Sequence, residues 1–351
     1  MGVKFKQQVC PMPVEDKSCI MLAHGSGGSH MHKLLNGVIL PKLMHNEIKN
    51  SHDSAVLEVG EQKLAFTTDS YVVDPLFFPG GDIGSLSIYG TVNDLAMSGS
   101  KPIYISVAFI LEEGFPLKDF QLVLSSINKA AREVNVKIVT GDTKVVERGK
   151  GHGLYINTAG IGIIEHKQII HPEKICIDDA VIVSGDIGRH GIAIMAKRNN
   201  LEFDTTIKSD STSVFEVVEK LLEKNIKIHC LRDITRGGLA TTLNEIATST
   251  NTHIKLEENL IPIQEEVNSA CDLLGLNALH VACEGRFVAF VNKNDVASSL
   301  EIMRSFNHGK LANSIGVVTQ DNNFTGVTML NCIGISRIVE PLNGEQLPRI
   351  C

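Results

Sequence analysis

The stretch Ile138-Val139-Thr140-Gly141-Asp142 is an apolar run that gives way to Thr-Gly-Asp, and Ile182-Val183-Ser184-Gly185-Asp186 echoes it in the other half of the chain. An apolar strand closed by a small residue, a glycine and an acid suits an open α/β sheet, where ligands bind at strand ends. Two such stretches, one per half, suggest two α/β halves of similar size. Outward from the first, Ala55–Val59 and Lys63–Thr68 form two strands across Gly60-Glu61-Gln62. Leu86–Met97 has helical spacing, Tyr104–Leu111 is β-rich, and Asp119–Val134 is an amphipathic helix with Asp119 as its N-cap. Lys137–Thr140 and Leu154–Ile164 are further strands. Outward from the second, Ala180–Ser184, Ser213–Lys224, Leu239–Thr248 and Phe287–Val291 mix strand and helix signals. His171-Pro172-Glu173 divides the halves. The expected organisation is an N-terminal arm at 1–20, a domain at 21–168, an α/β domain at 174–340 and a flexible tail at 341–351.

Composition removes other classes. The 351 residues are too many for one small core. Lys plus Arg is 33 against 40 Asp plus Glu, a formal charge of −7. No basic excess exists to release counterions from nucleic acid, so nucleic acid is not the expected partner. No 18-residue apolar run and no charged-then-apolar leader occurs, so neither a membrane span nor a signal peptide is expected. Eight cysteines, at 10, 19, 176, 230, 271, 283, 332 and 351, include no C-x-x-C pair and are too sparse for a disulfide scaffold. A reduced, cytoplasmic protein is expected.

Four aspartates sit where an apolar run gives way to a turn or a helix: Asp69, Asp94, Asp142 and Asp233. Asp94 is the most telling, because the C-terminal end of a helix disfavours an anion. Aspartate also simply favours turns and caps; the set of four says more than any member, and magnesium wants such oxygen ligands. His24-Gly25-Ser26-Gly27-Gly28-Ser29-His30 is a glycine-rich loop opening a helix, able to wrap phosphate with backbone N–H groups or to be a plain turn. Its histidines, with His32, suit solvent or phosphate better than a metal cluster. Asp233-Ile234-Thr235-Arg236-Gly237-Gly238-Leu239 sets an acid, a hydroxyl, a guanidinium and two glycines before a helix, which suits polyphosphate with a metal or a capped helix start. No P-loop, Rossmann fingerprint, G-x-S-x-G elbow or H-E-x-x-H pair is present. Cys351 is a poor core residue but sterically a good carrier. The eleven residues 341–351 could reach roughly 35 Å when extended.

Together these pieces resemble the HypE carbamoyl dehydratases, hydrogenase maturation factors of the aminoimidazole ribonucleotide synthetase superfamily. The matching residues are His24-Gly25-Ser26-Gly27-Gly28, Thr68-Asp69-Ser70-Tyr71-Val72, Asn93-Asp94-Leu95-Ala96 and Gly141-Asp142-Thr143-Lys144-Val145-Val146. Asp233-Ile234-Thr235-Arg236-Gly237-Gly238-Leu239-Ala240, Glu284-Gly285 and Pro348-Arg349-Ile350-Cys351 complete the set. The resemblance implies a two-domain α/β fold whose N-terminal sheets pair into a barrel in a homodimer, with 21–168 as the ATP-binding and dimerisation domain and ATP in the cleft between domains, beneath the glycine-rich segment. It implies that Cys351 receives a carbamoyl group from the carbamoyltransferase HypF. ATP-dependent dehydration then makes a thiocyanate, whose cyano group passes to iron on the HypC–HypD complex for [NiFe]-hydrogenase. Mg²⁺ falls to Asp69, Asp94 and Asp233. The nucleotide falls to Gly25, Ser26, Gly27, Gly28, Asn93, Asp142, Thr143 and Arg236, and catalysis to Cys351, Lys144 and Glu284.

Two departures stand out: the arm adds Cys10 and Cys19, and Ile234 stands where relatives often carry proline. A selenophosphate synthetase is the runner-up, although its reactive Cys or selenocysteine is missing from the glycine-rich loop here. A non-catalytic scaffold that docks maturation proteins through its tail is the reading from another class.

Overall fold

The computed structural model describes residues 19–43, 52–201, 207–321, 323–344 and 349–351. The expected arm up to residue 18, with Cys10, lies outside them, as do residues 345–348. The glycine-rich segment forms a 3₁₀ turn at Leu22–Gly25, then α1 (Ser29–Leu34), a π-helical turn at Leu35–Ile39 and α2 (Leu40–Leu43). One sheet follows, in the order β1 (Ala55–Val59), β2 (Gln62–Tyr71), β7 (Leu154–Ile164), β5 (Lys101–Glu112), β6 (Lys137–Val146). A short ribbon, β3 (Phe77–Phe78) with β4 (Gly81–Asp82), leads into α3 (Ile83–Met97). Only β5 and β6 run parallel, because α4 (Leu117–Glu133) carries the chain back between them.

Helix α3 is apolar nearly all round and is buried accordingly, packing on β2, β7 and α4 and reaching the strand Ile228–Asp233 of the second sheet. Asp82 caps it, accepting from Gly84 N at 2.7 Å and Ser85 N at 3.1 Å. The opposite face of this sheet is open. Val56, Val59, Phe66, Tyr104 and Ile161 are exposed on it or at its rim, as are Val139 and Val145 on β6.

The second sheet has seven strands in the order β14 (Ser336–Val339), β13 (Gly326–Leu330), β10 (His253–Glu257), β12 (Asn313–Thr319), β8 (Ala180–Val183), β11 (Phe287–Val291), β9 (Ile228–Asp233). Both faces are covered, which is why β8 and β11 are apolar without alternation. Leu239, Leu243 and Ile246 of α7 (Gly238–Thr250) pack on one side; α6 (Phe215–Glu223) and α9 (Val296–Ser305) close the other. Helices α5 (Arg189–Arg198) and α8 (Glu265–Leu274) share a core with α3 and α4, and Ile350 is buried in that core.

Several local expectations change. Asp119 lies in the first turn of α4 and Pro116 is the N-cap, since the helix starts earlier than its apolar spacing suggested. The strand expected at Lys137–Thr140 continues to Val146, so Asp142 is inside β6; likewise β2 runs past Asp69 to Tyr71. The opening echo is therefore not equivalent in space. Gly141 is needed because a Cβ there would stand 2.0 Å from the Val107 carbonyl oxygen, whereas β8 stops at Val183 and leads to buried Asp186, paired with Arg286 at 2.7 Å. Among the described residues no helix is long and apolar enough to cross a membrane.

Candidate active site

The site lies where α3, β2, the end of β9 and the loop before β11 meet. Asp69 sits on β2, Asp94 on α3 and Asp233 at the end of β9; the charges of Asp69 and Asp233 act on Asp94, and Asp233 feels Asp69 and hydrogen-bonds Asp94. Burial pushes Asp233 up to about 8, helped by the negative charges of Asp53 and Asp69 and opposed by Arg232. Asp94 is held well above the usual carboxylate range by burial and by Asp233, Asp69 and Asp53, although Thr67 donates to it at 2.8 Å. Such a buried cluster calls for a cation or for protons. The three expected metal ligands are thus brought together, as an open set rather than a closed cage. Among the described residues, the one group of three whose ligand atoms lie within 4.8 Å of one another is Cys176, Asp179 and His229. All three aspartates offer oxygen donors only, which fits Mg²⁺ shared with phosphate oxygens and water.

Glycines bring the phosphate-binding elements together. Gly237 (φ +80°) and Gly238 (φ +63°) open α7 without a capping side chain. A Cβ on Gly27 would stand 2.6 Å from the Arg236 backbone, and one on Gly28 only 2.2 Å from the Leu342 carbonyl oxygen. The glycine-rich segment therefore lies directly on the α7 entry. Arg236 donates to the Gly25 carbonyl at 3.2 Å, and Ser26 Oγ donates to the Ala23 carbonyl at 2.8 Å. An open cleft beside them is lined by Ser26, Arg236, Gly237 and Ile350. An uncapped helix start and a guanidinium fit a polyphosphate.

Sequence reasoning missed the frame that holds this arrangement. Arg232 Nε stands 2.7 Å from Asp53 Oδ1, and Arg232 Nη2 is 3.1 Å from Glu245 Oε2. Glu245 in turn meets His32 of α1 at 2.6 Å. The only signal was a charged pair, Arg232-Asp233, closing an apolar strand; His52-Asp53-Ser54 carries no motif.

The last three residues are seated inward. Val72 N donates to the Cys351 carbonyl at 3.0 Å and Asp74 N to the Arg349 carbonyl at 3.2 Å. His190 Nε2 meets the Ile350 carbonyl at 2.7 Å, and Arg198 Nη2 donates to that of Arg349 at 2.8 Å. The sequence led to a mobile tail; its tip has a built seat. Burial pushes the Cys351 thiol well up, with Glu284, Asp69 and Asp233 adding and Arg236 opposing. Glu284 is itself raised well above its ordinary range by burial and by Asp233, Asp69 and Asp210; its buried Oε1 has no hydrogen-bond partner among the described residues. Cys351, Glu284 and Arg236 thus share one environment.

Two expected groups are engaged by other parts of the protein. Asn93 has its amide committed to the protein, donating to Thr212 O at 2.9 Å and Glu284 O at 3.3 Å and accepting from Val214 N at 2.9 Å. Lys144 pairs with Asp142 at 2.7 Å on exposed β6, beside Thr143; neither charge is among those acting most on Cys351 or Glu284.

The raised Asp233 sets a pH dependence. Between about pH 4 and pH 8 the folded protein keeps a proton that an unfolded aspartate releases, so without metal the folded state loses stability as pH rises through that window. Asp233→Asn is expected to flatten this slope, melt higher than wild type at pH 8, and lose stabilisation by Mg²⁺-ATP. Thermal melts across the window, with and without chelator, check it; an unchanged slope in the variant contradicts the assignment.

Two α/β units meeting over a carboxylate cluster, closed by a glycine-rich segment, define a class. The N-terminal domain of AIR synthase related proteins matches residues 51–164 and the C-terminal domain matches 177–328, so the chain belongs to that family. Within it, the chain belongs to the HypE carbamoyl dehydratases. Carbamoyl dehydratase HypE of Bradyrhizobium diazoefficiens is 48% identical over 335 residues, covering 95% of this chain and 96% of that protein. HypE in a crystal structure of a HypE–HypF complex superposes with a TM-score of 0.83 at 42% identity, covering 88% of this chain and 99% of its own. The crystal structure of HypE in complex with ATP gives 0.80 at 42% identity, covering 95% and 100%.

Proposed function

We propose that this chain carries a carbamoyl group on Cys351 and dehydrates it, with ATP, to a thiocyanate that supplies cyanide to the iron of [NiFe]-hydrogenase. The observation that carries this reading is the seat of Cys351, which is held inward through its neighbour Ile350 and whose half-buried thiol lies within electrostatic reach of Glu284, Arg236, Asp69 and Asp233. Making a nitrile from the carbamoyl amide removes its oxygen and two N–H protons; transfer of phosphate to that oxygen makes it a leaving group. Glu284, buried with an unpartnered oxygen, accepts one proton from nitrogen, and the departing phosphate carries off the other. Arg236 holds charge on the phosphate beside the α7 entry. Asp69, Asp94 and Asp233 hold Mg²⁺, which when bound spreads the phosphate charge.

The exposed apolar face of the first sheet supports a homodimer, because a patch of that kind on a lone protomer marks an interaction surface. To that dimer we assign the role of bringing Lys144, Asp142 and Thr143 to the partner protomer's site, where the lysine orients the carbamoyl group. HypF as carbamoyl donor, HypC–HypD as acceptor and a cytoplasmic setting complete the proposal. Intact mass of the protein incubated with HypF, carbamoyl phosphate and Mg²⁺-ATP tests it. The expected result is a carbamoyl adduct on the final peptide that loses one water only when ATP is present. ATP hydrolysis with no adduct would move the kinase-like readings forward, and no turnover of ATP would favour the scaffold.

A further inference from the structure

We propose that Cys176, Asp179 and His229 form a second cation site, selective for a zinc-class divalent ion and separate from the aspartates facing Cys351. The three side chains come from different places. Cys176 follows the 3₁₀ turn Pro172–Lys174, Asp179 enters β8, and His229 lies on β9. Their ligand atoms nevertheless lie within 4.8 Å of one another.

The group is organised without a cation. Asp179 Oδ2 accepts from the Cys176 backbone N at 2.7 Å and meets His229 Nδ1 at 2.6 Å. Asp179 and His229 are buried while Cys176 is exposed, so the buried pair forms the floor and the thiol stands at the entrance. The turn that bonds Cys176 N to Asp179 also brings the thiol beside the pair, where Sγ donates to the Lys174 carbonyl at 3.4 Å, a weak bond that a cation can replace. One sulfur, one nitrogen and one oxygen donor suit a borderline-soft ion, whereas Mg²⁺ and Ca²⁺ prefer oxygen alone. Three protein ligands and an exposed side leave a fourth position to water or an incoming ligand. Binding takes the proton from the Cys176 thiol and ties the segment joining the two units to the edge strand β9.

The test uses the full chain carrying Cys351→Ser, which removes the other sulfur near a metal site, stripped with chelator and titrated with Co²⁺. A sulfur-to-cobalt charge-transfer band should saturate at one equivalent and be displaced by Zn²⁺. Adding Cys176→Ser, an exposed position, should abolish the band and weaken binding at least about tenfold. On unmutated protein, Zn²⁺ should slow alkylation of Cys176 while leaving exposed Cys332 unaffected. Absence of the band, its survival in Cys176→Ser, or unaltered Cys176 alkylation overturns the proposal.

Discussion

Cys351→Ser is expected to leave a folded protein that binds Mg²⁺-ATP but forms no adduct, with thiocyanate production down by at least about 10⁴-fold. The fold is spared because the seat grips the backbone. The carbonyls of Arg349, Ile350 and Cys351 are the groups held by Asp74, His190 and Val72, and none of those bonds uses sulfur. The chemistry is lost because a hydroxyl is a far weaker nucleophile than a thiolate toward a carbamoyl donor. The seat also fixes an order of events. Inside it, burial and the carboxylates around Cys351 hold the thiol protonated, so the inward tip suits a neutral, already carbamoylated sulfur. Carbamoyl transfer to a thiolate therefore belongs to the undocked tail. Mass spectrometry of the final peptide, with melting curves in Mg²⁺-ATP, separates loss of chemistry from loss of fold; a serine variant that still yields the dehydrated adduct contradicts the carrier role.

The sequence made the architecture legible where periodicity was strong and local. The strand at Phe287–Val291 lies where the apolar run placed it, and α3 differs only by starting three residues earlier, at Ile83. The ends of β2 and β6 were not legible, because Thr-Asp-Ser and Thr-Gly-Asp resemble strand terminators. Here they continue in strands whose partners β7 and β5 supply the missing hydrogen bonds. The carboxylates of the site were legible as unusual aspartates, yet their convergence is a property of topology. Asp69, Asp94 and Asp233 meet because α3 spans from its own sheet to β9. The frame of Asp53, Arg232, Glu245 and His32 was not legible, because ion pairs across so much sequence have no spacing to detect; His32, expected to face solvent or phosphate, pairs with Glu245 instead. Asn93, expected at the nucleotide from the resemblance, has its amide hydrogen-bonded to the backbone of Thr212, Val214 and Glu284.

That use of Asn93 bears on Glu284, whose substitution by glutamine should slow dehydration by about 10²–10⁴-fold while leaving carbamoylation by HypF unchanged. Position is set by the main chain. Glu284 N donates to Asp210 Oδ1 at 2.9 Å and its carbonyl accepts from Asn93, so Glu284→Gln keeps its place and loses only its basicity. Burial and the charges of Asp233, Asp69 and Asp210 raise this carboxyl well above its ordinary range. The sign follows: a raised carboxylate is a stronger base once ionised but keeps its proton to higher pH than an ordinary one, so the single-turnover rate should climb as pH rises through its titration. Mg²⁺ on the aspartates offsets their charge and moves that rise to lower pH. In Glu284→Gln the rise should vanish along with the rate. Rapid-quench mass analysis of preloaded protein, across pH and at two Mg²⁺ concentrations, distinguishes this from a structural role. A variant slowed equally at every pH, with its alkaline rise intact, assigns the proton to another group and leaves Glu284 to shape the pocket.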